Sequence, residues 1–440
     1  MRALIVSYFF PPTGGAGVGR PLKLAKYLPD FGVTPTILTA SNPSVPLRDE
    51  SLLRDVDPAM EIVRAPTLEP GYAIKKAVWN AEAEKPKRGI LASAVGRLKA
   101  GGVAFAKGVL VPDAQVLWQP GAARALLSRL VRRADDVLWI TAPPFSAFLL
   151  APIARARGVA VVVDYRDEWK TLRETYEMSG PITVKAGELL ESRLLRSADA
   201  ITTATPAFRD ALLAEHPFLD PDAVHVVSNG YDPDDYPDEL PTPPSDQFVI
   251  TYAGTILTVT SPRPFLEAVR LVHRREPELA SKLRVRFIGR VVTTEEHHFA
   301  DSEDIGVERI PYIDKADVVT ELAKSHLNLC LLSDLPDCQR IYPGKIFELM
   351  YLGRPVMTVA PPGALTDLVI GHDIGSRHAP ADVEGIADDL TTRLRQFARG
   401  DYELGTSGRN IEAFHRRTLA GRVADVLRFA VNARATRTSD

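Results

Sequence analysis

Cysteine is nearly missing from this chain: its 440 residues hold two, Cys330 and Cys338, with no third cysteine and no histidine in the stretch between them. Such a pair supports neither a disulfide framework nor a cysteine zinc site, and it suits a reducing cytosol. Long hydrophobic runs are also lacking, since no stretch approaches the roughly 18 apolar residues that a membrane-crossing helix needs. A basic excess is absent too: 53 Lys and Arg face 56 Asp and Glu, and the net charge of −3 argues against a nucleic-acid partner. No internal repeat or low-complexity tract occurs. What remains is ordinary globular usage, 45% hydrophobic and 25% charged. At this length one hydrophobic core is not enough, so two or three domains are expected. The apolar start, Ala3 to Phe10, follows Arg2 as a signal peptide would, but it runs into Pro11-Pro12 without a small-residue cleavage site. It reads as a first buried strand, and the expected compartment is the cytoplasm.

Along the chain, apolar runs of strand length alternate with helical stretches. Strands are read at Ala3 to Tyr8, Pro35 to Thr39, Val137 to Ile140 and Ala160 to Val163, with helices from Arg20 and from Ser146. The pattern restarts with Val224 to Val227, Val249 to Tyr252, a helix Pro264 to Arg274, Val285 to Ile288, Leu327 to Leu332 and Val356 to Val359. This is the signature of an α/β protein with two parallel, doubly wound sheets.

Three segments carry chemistry. In residues 342–360, Pro343 and Gly344 open a helix, Lys345 to Leu352 fill about two turns, Gly353 ends it and Pro355 prevents its resumption. Glu348 has Leu352 at i+4, so no ion pair on its own helix explains it. A helix start with Lys345 suits a phosphate, and a carboxylate one turn deeper can accept two ribose hydroxyls. The second segment, Thr13 to Arg20, places Gly14, Gly15, Ala16 and Gly17 just after a strand; its glycine spacing fails the dinucleotide fingerprint, but small residues let backbone amides approach a diphosphate or sugar, and Arg20 adds charge. The third, Asp164-Tyr165-Arg166-Asp167-Glu168-Trp169, sits at the carboxyl end of a buried strand, where open α/β sheets bind ligands. Its ionisable groups beside a Trp can hold a sugar, or Arg166 and Asp167 can form a structural pair. Asp167, then Asp164, are the candidate bases.

Residues 345–356 resemble the Lys-x-Phe-Glu-Tyr-x-x-x-Gly-x-Pro-Val run of the family-4 retaining glycosyltransferases, in which the Glu meets the nucleotide ribose. The segment Tyr8 to Arg20, with Leu24-Ala25-Lys26-Tyr27-Leu28 and Phe31-Gly32, looks like the glycine loop of exopolysaccharide-type members. Pro112-Asp113-Ala114 with Trp118, Thr141 to Ser146, Asp164 to Trp169, Ser228 to Asp232 and Phe287-Ile288-Gly289 follow in that family's order. The resemblance implies the GT-B fold, two Rossmann-like domains facing across a cleft. Residues 1–206 would form the acceptor-side domain and 207–410 the nucleotide-sugar domain, with 411–440 crossing back to the first. It also implies a metal-independent transfer with retention, no cofactor, and a nucleoside diphosphate sugar as co-substrate. Glu348 would bind ribose, and Gly344 and Lys345, with Tyr342 and Pro343 beside them, the diphosphate. The loop after Gly289 and the turn at Tyr312 would meet the base, with Gly254 and Thr255 also on the donor side. Asp167, Arg166 and the Gly15 loop would face the sugar and acceptor. By composition the Pro- and Asp-rich residues 232–246 look like a linker; by resemblance they form a loop of the second domain, and the hinge falls near Thr205-Pro206.

The chain departs from better known members where a His near the reaction centre is replaced by Thr141, and an Arg and Lys pair by Thr255 and Thr260. The first acid of a Glu-x7-Glu pair is Arg340 here. Positive charge must come from Arg263, Arg340, Lys345 or Arg20. Other readings are a sugar-nucleotide 2-epimerase and an inactive sugar-nucleotide-binding partner of a polysaccharide assembly complex. Residues 72–110 hold eight Lys and Arg against two Glu, a membrane-surface signal or a basic insertion over the acceptor. The expected partners are therefore a nucleotide-sugar donor, a glycan or lipid-linked acceptor and an anionic inner leaflet, without nucleic acid.

Overall fold

The computed structural model describes residues 1–45, 48–71, 111–172 and 181–439. The basic stretch 72–110 lies outside them.

The central strands of the first sheet are buried on both faces, as a parallel sheet covered on both sides requires. β1 (Arg2–Val6), β2 (Thr34–Ala40), β3 (Glu61–Ala65), β4 (Val137–Ala142), β5 (Ala160–Tyr165), β6 (Ala200–Thr203) and β7 (Val224–Val226) pair in parallel in the order β3-β2-β1-β4-β5-β6-β7. Alternate residues of each strand feed opposite layers. Leu4, Val6, Leu138, Ile140, Val161 and Val163 pack with Trp118 and with Ala122 and Leu126 of helix α2 (Gln119–Val131). Ala3, Ile5, Val137, Trp139, Ala160 and Val162 pack with Leu22 and Ala25 of α1 (Ala16–Tyr27), and with Leu419, Val423 and Leu427 of the C-terminal helix Arg416–Ser439. Each fully buried Val, Leu or Ile contributes about 1.5–3 kcal/mol, so both layers are needed to fix the strand order.

The second sheet repeats the plan. β8 (Phe248–Ala253), β9 (Leu283–Ile288), β10 (Val307–Ile310), β11 (Leu327–Leu331), β12 (Val356–Val359) and β13 (Gly375–His378) run in parallel as β10-β9-β8-β11-β12-β13. In both sheets the chain winds outward from its first strand, then returns to that strand's other side, which is the doubly wound arrangement.

The chain divides into two compact units, one of residues 1–204, 208–227 and 419–440, the other of 205–207 and 228–418. This corrects the expected boundary at 206/207. The run Val224 to Val227, expected to open the second half, instead forms β7, which hydrogen-bonds to β6 and completes the first sheet. A three-residue edge strand carries too little pattern to declare its sheet. The first helix also starts four residues before the expected Arg20, because Pro21 lies inside it without ending it. Ser146 lies in a 3-10 turn, Phe145–Leu150, before the helix Ala151–Ala156.

Candidate active site

In the second unit, the winding reverses between β8 and β11, and ligands of open α/β sheets bind outside the carboxyl ends of such strands. Gly254 follows β8 with φ +140, and Gly289 follows β9 with φ +127. A Cβ on Gly289 would stand 2.5 Å from the Gly254 carbonyl oxygen, and one on Gly254 would stand 2.6 Å from Lys345 Nζ. Gly289 thus lets the two loops approach closely, and Gly254 leaves the space that the Lys345 ammonium fills, 3.6 Å from the centroid of the buried Tyr252 ring. The loops are tied together, with Ile256 N donating to Arg290 O at 2.8 Å and Val292 N to Ile256 O at 3.1 Å. The amides of Gly254 and Gly289 donate to Ile288 O and Ile310 O, both at 2.9 Å. They are thus not the phosphate donors that a glycine site suggests; they act by making room.

Lys345 opens helix Lys345–Leu352, which ends at Gly353 in the left-handed conformation, φ 72, with the same bounds that the local signals gave. Gly344 precedes it without a side-chain cap, and Pro343 O accepts from Ile346 N at 2.9 Å. Tyr342 packs edge-on against Phe347. A Cβ on Gly344 would lie 3.8 Å from Asn229 Nδ2, so the Ser228-Asn229-Gly230 turn abuts the helix start; the sequence singled out that turn without giving it a role.

Glu348 has a cationic partner after all. Lys315, at the start of helix Lys315–Ala323, places Nζ 3.2 Å from Glu348 Oε1 and 2.6 Å from Asp235 Oδ2. Burial opposes the Lys315 charge, but Glu348 and Asp235 together hold its ammonium well above the ordinary value. The tyrosine next to Asp235, Tyr236, donates to Glu348 O at 2.8 Å. Spacing along one helix does not reveal a lysine 33 positions away on another. The other donor-side candidates are held differently. Arg263 pairs with Glu267 (2.9 Å) and Arg340 with Asp337 (2.8 Å), both local ion pairs. Thr255 gives its carbonyl to Tyr252 Oη and Thr260 Oγ1, and Tyr312 is 45% exposed.

In the first unit the hexapeptide after β5 is mostly scaffold. Asp164 is fully buried and bound by Arg20 through Nε at 3.0 Å and Nη2 at 2.7 Å, by Thr141 Oγ1 at 2.7 Å and by Thr202 Oγ1 at 2.6 Å. Burial works against its charge, yet Arg20 and the two hydroxyls hold the carboxyl below its ordinary range. Asp164 is therefore no base for an acceptor, and Arg20, 2% exposed, is not a diphosphate ligand. Arg166, expected among the catalytic residues facing the sugar and acceptor, is structural instead. Its guanidinium donates to the carbonyls of Ala142, Pro143 and Gly17, tying the glycine loop to the exit of β4. A Cβ on Gly17 would meet Arg166 Nη1 at 3.2 Å, which accounts for that glycine. Trp169 is buried and stacked on Phe145, ring centroids 4.7 Å apart, so it offers no face to a sugar. Asp167 is exposed. Of the remaining loop residues, Gly15 has φ +104 with open space at its Cβ, Gly14 is half-buried, and Ala16 begins α1.

Residues 14–230 match the model of the Glycosyl transferase 4-like domain. That stretch is a family-4 glycosyltransferase domain. The chain is 26% identical over 226 residues to the D-inositol 3-phosphate glycosyltransferase of Stackebrandtia nassauensis, 48% of this chain and 50% of that one, so it aligns with about half the length of that curated relative. Among solved structures, the sucrose-phosphate synthase of Thermosynechococcus elongatus superposes with a TM-score of 0.63 at 13% identity, covering 97% of this chain and 98% of that one. HepE of Anabaena, solved in complex with UDP and glucose, gives 0.58 at 14% identity, covering 97% and 99%. The fold is GT-B, built of two Rossmann-like units. The family match ends at residue 230, so the Gly254, Lys345 and Glu348 group lies beyond it.

Proposed function

We propose that the protein moves a sugar from a nucleoside diphosphate donor to a glycan or lipid-linked acceptor, with retention of configuration and without a metal. The observation that carries this is the Lys345 ammonium, set over Tyr252 in the space left by Gly254, with Glu348 on the same helix. Three residues of helix rise separate the two by about 4.5 Å along the axis, and i, i+3 side chains share a face. A diphosphate at Lys345 and the uncapped helix start would leave its ribose toward Glu348.

Departure of the nucleoside diphosphate needs the growing phosphate charge to be stabilised, which an ammonium and a helix N-terminus supply. The bond from the anomeric carbon to phosphate oxygen breaks, and the acceptor oxygen bonds to that carbon from the same face. Its proton passes to the leaving phosphate oxygen. A protein base is then unnecessary; Asp167 is the exposed acid of its hexapeptide that could serve as one. The basic composition of residues 72–110 supports contact with an anionic membrane surface carrying the acceptor, and among the described residues no helix is long and apolar enough to cross a membrane.

A thermal-shift panel of UDP-, GDP-, dTDP- and ADP-sugars, with and without EDTA, tests the reading against Lys345→Ala and Glu348→Ala. At about 100 times its dissociation constant a ligand stabilises by about 2.7 kcal/mol. A shift with one nucleotide class, unaffected by EDTA and lost in both variants, is expected. No shift with any donor would refute the donor site, and consumption of the donor to an epimer without acceptor would redirect it to the 2-epimerase reading.

A further inference from the structure

The Pro- and Asp-rich residues after Gly230 reach helix Lys345–Leu352 through two side chains. Asp235, whose side chain is 5% exposed, holds Lys315 Nζ at 2.6 Å, and that same nitrogen lies 3.2 Å from Glu348 Oε1. Tyr236 fixes the Glu348 carbonyl from the other side of the turn. An ammonium has three N–H donors. Two face these carboxylates, and the third has no partner among the described residues. The Lys315 and Glu348 side chains are 28% and 35% exposed, so a ligand that reaches one carboxylate oxygen also reaches the ammonium beside it.

A carboxylate can only accept hydrogen bonds, whereas a ribose hydroxyl that donates to it still carries lone pairs. We propose that Lys315 is a specificity-determining residue of the donor site: it fixes the Glu348 carboxylate and gives its remaining N–H to the oxygen of one ribose hydroxyl. The inference rests on Glu348 being the ribose-binding acid. Removing that hydroxyl leaves a half-buried N–H without its partner, the situation in which polar sites discriminate strongly. Asp235 serves as the anchor that stops Lys315 from turning to solvent.

Calorimetry decides it. UDP, GDP and ADP are titrated into the wild-type protein, and the tightest is compared with its 2′-deoxy and 3′-deoxy forms. The variants are Lys315→Arg and the double variant Lys315→Met with Asp235→Asn, which removes the buried charge pair together and so leaves no unpaired carboxylate in the core. In the wild type each missing hydroxyl should weaken binding roughly 10- to 100-fold. In the double variant the penalty at one hydroxyl should fall below about threefold while the penalty at the other persists, and Lys315→Arg should recover part of the first. If the double variant weakens the parent and both deoxy forms by one common factor, Lys315 is only structural and the inference fails while the donor site stands. If none of the three diphosphates binds the wild type, the reading of Glu348 itself fails and takes this one with it.

Discussion

Gly254→Ala separates what this glycine does for the fold from what it does for the ligand. At φ +140 an alanine is strained, which costs about 1–3 kcal/mol of stability. Its Cβ would stand 2.6 Å from Lys345 Nζ, against a comfortable contact of about 3.5 Å. The atom in the way is the end of a flexible side chain, so the ammonium retreats by roughly 1 Å and the chain stays folded. That retreat weakens the Tyr252 contact, worth about 0.5–2 kcal/mol, and removes a charge-assisted hydrogen bond to phosphate, worth about 1.5–3 kcal/mol. The second term sets the expected loss of nucleoside diphosphate affinity at roughly 10- to 150-fold. Calorimetric titration beside thermal melts reads both effects. Gly400→Ala is the control, because Gly400 has φ +81 in the same unit with nothing within 4 Å of its Cβ. It should lose stability and keep affinity. Wild-type affinity in a folded Gly254→Ala protein, or an equal loss of affinity in Gly400→Ala, would refute the argument that the glycine exists to seat the lysine.

Breaking the buried pair by Asp164→Asn or Arg20→Leu should lower unfolding free energy by about 3–5 kcal/mol in denaturant melts, and a melt unchanged by either would show that the pair is not structural. Asp167→Asn should leave donor affinity unchanged and reduce turnover by less than about tenfold, since the leaving phosphate takes the proton; a loss of roughly 100- to 10,000-fold, the range of general-base catalysis, would make Asp167 a base. His326 is buried, accepts from Val249 N at 3.1 Å and stacks on Phe248, and burial with Arg354 nearby depresses it to about 4. The unfolded chain then binds the proton first, so no stability is lost above about pH 6.5 and about 3 kcal/mol is lost between there and pH 4. His326→Phe should flatten that slope in melts taken across this range, and an unchanged slope would place the acid sensitivity elsewhere.

The helix around Lys345 was legible because everything that bounds it is local: Pro343, Gly344, Gly353 and Pro355 act within one turn of the residues they govern. The long buried strands were legible for the same reason. What the sequence hid was pairing across distance. Arg20 and Asp164 lie 144 positions apart, and each alone looked like a charge awaiting a ligand. Composition marked residues 232–246 as a linker, but Asp235 and Tyr236 dock onto Lys315 and Glu348. Neither the charge nor the aromatic ring announces its partner. Strand β13, Gly-Ser-Arg-His, is an edge strand with no apolar alternation, so periodicity could not find it, and β7 has only three residues.

The distribution of cations follows from the same geometry. Where the resemblance leads one to expect an Arg and a Lys after the first strand of the second domain, this chain has a self-contained turn: Thr260 Oγ1 donates to Thr255 O and accepts from Leu257 N at 3.0 Å. In the first unit, Arg20 and Arg166 spend their donors on a buried carboxylate and on three backbone carbonyls. Lys315 is shared between two acids. Lys345 faces an aromatic ring instead of an acid, and a ring neutralises no charge. An ammonium set against a ring rather than an acid keeps its hydrogen-bonding capacity for an anion, and a diphosphate at this position would gain from it. The turn at 255–260 supplies no cation of its own, and the ammonium beside Gly254 comes from the helix at 345.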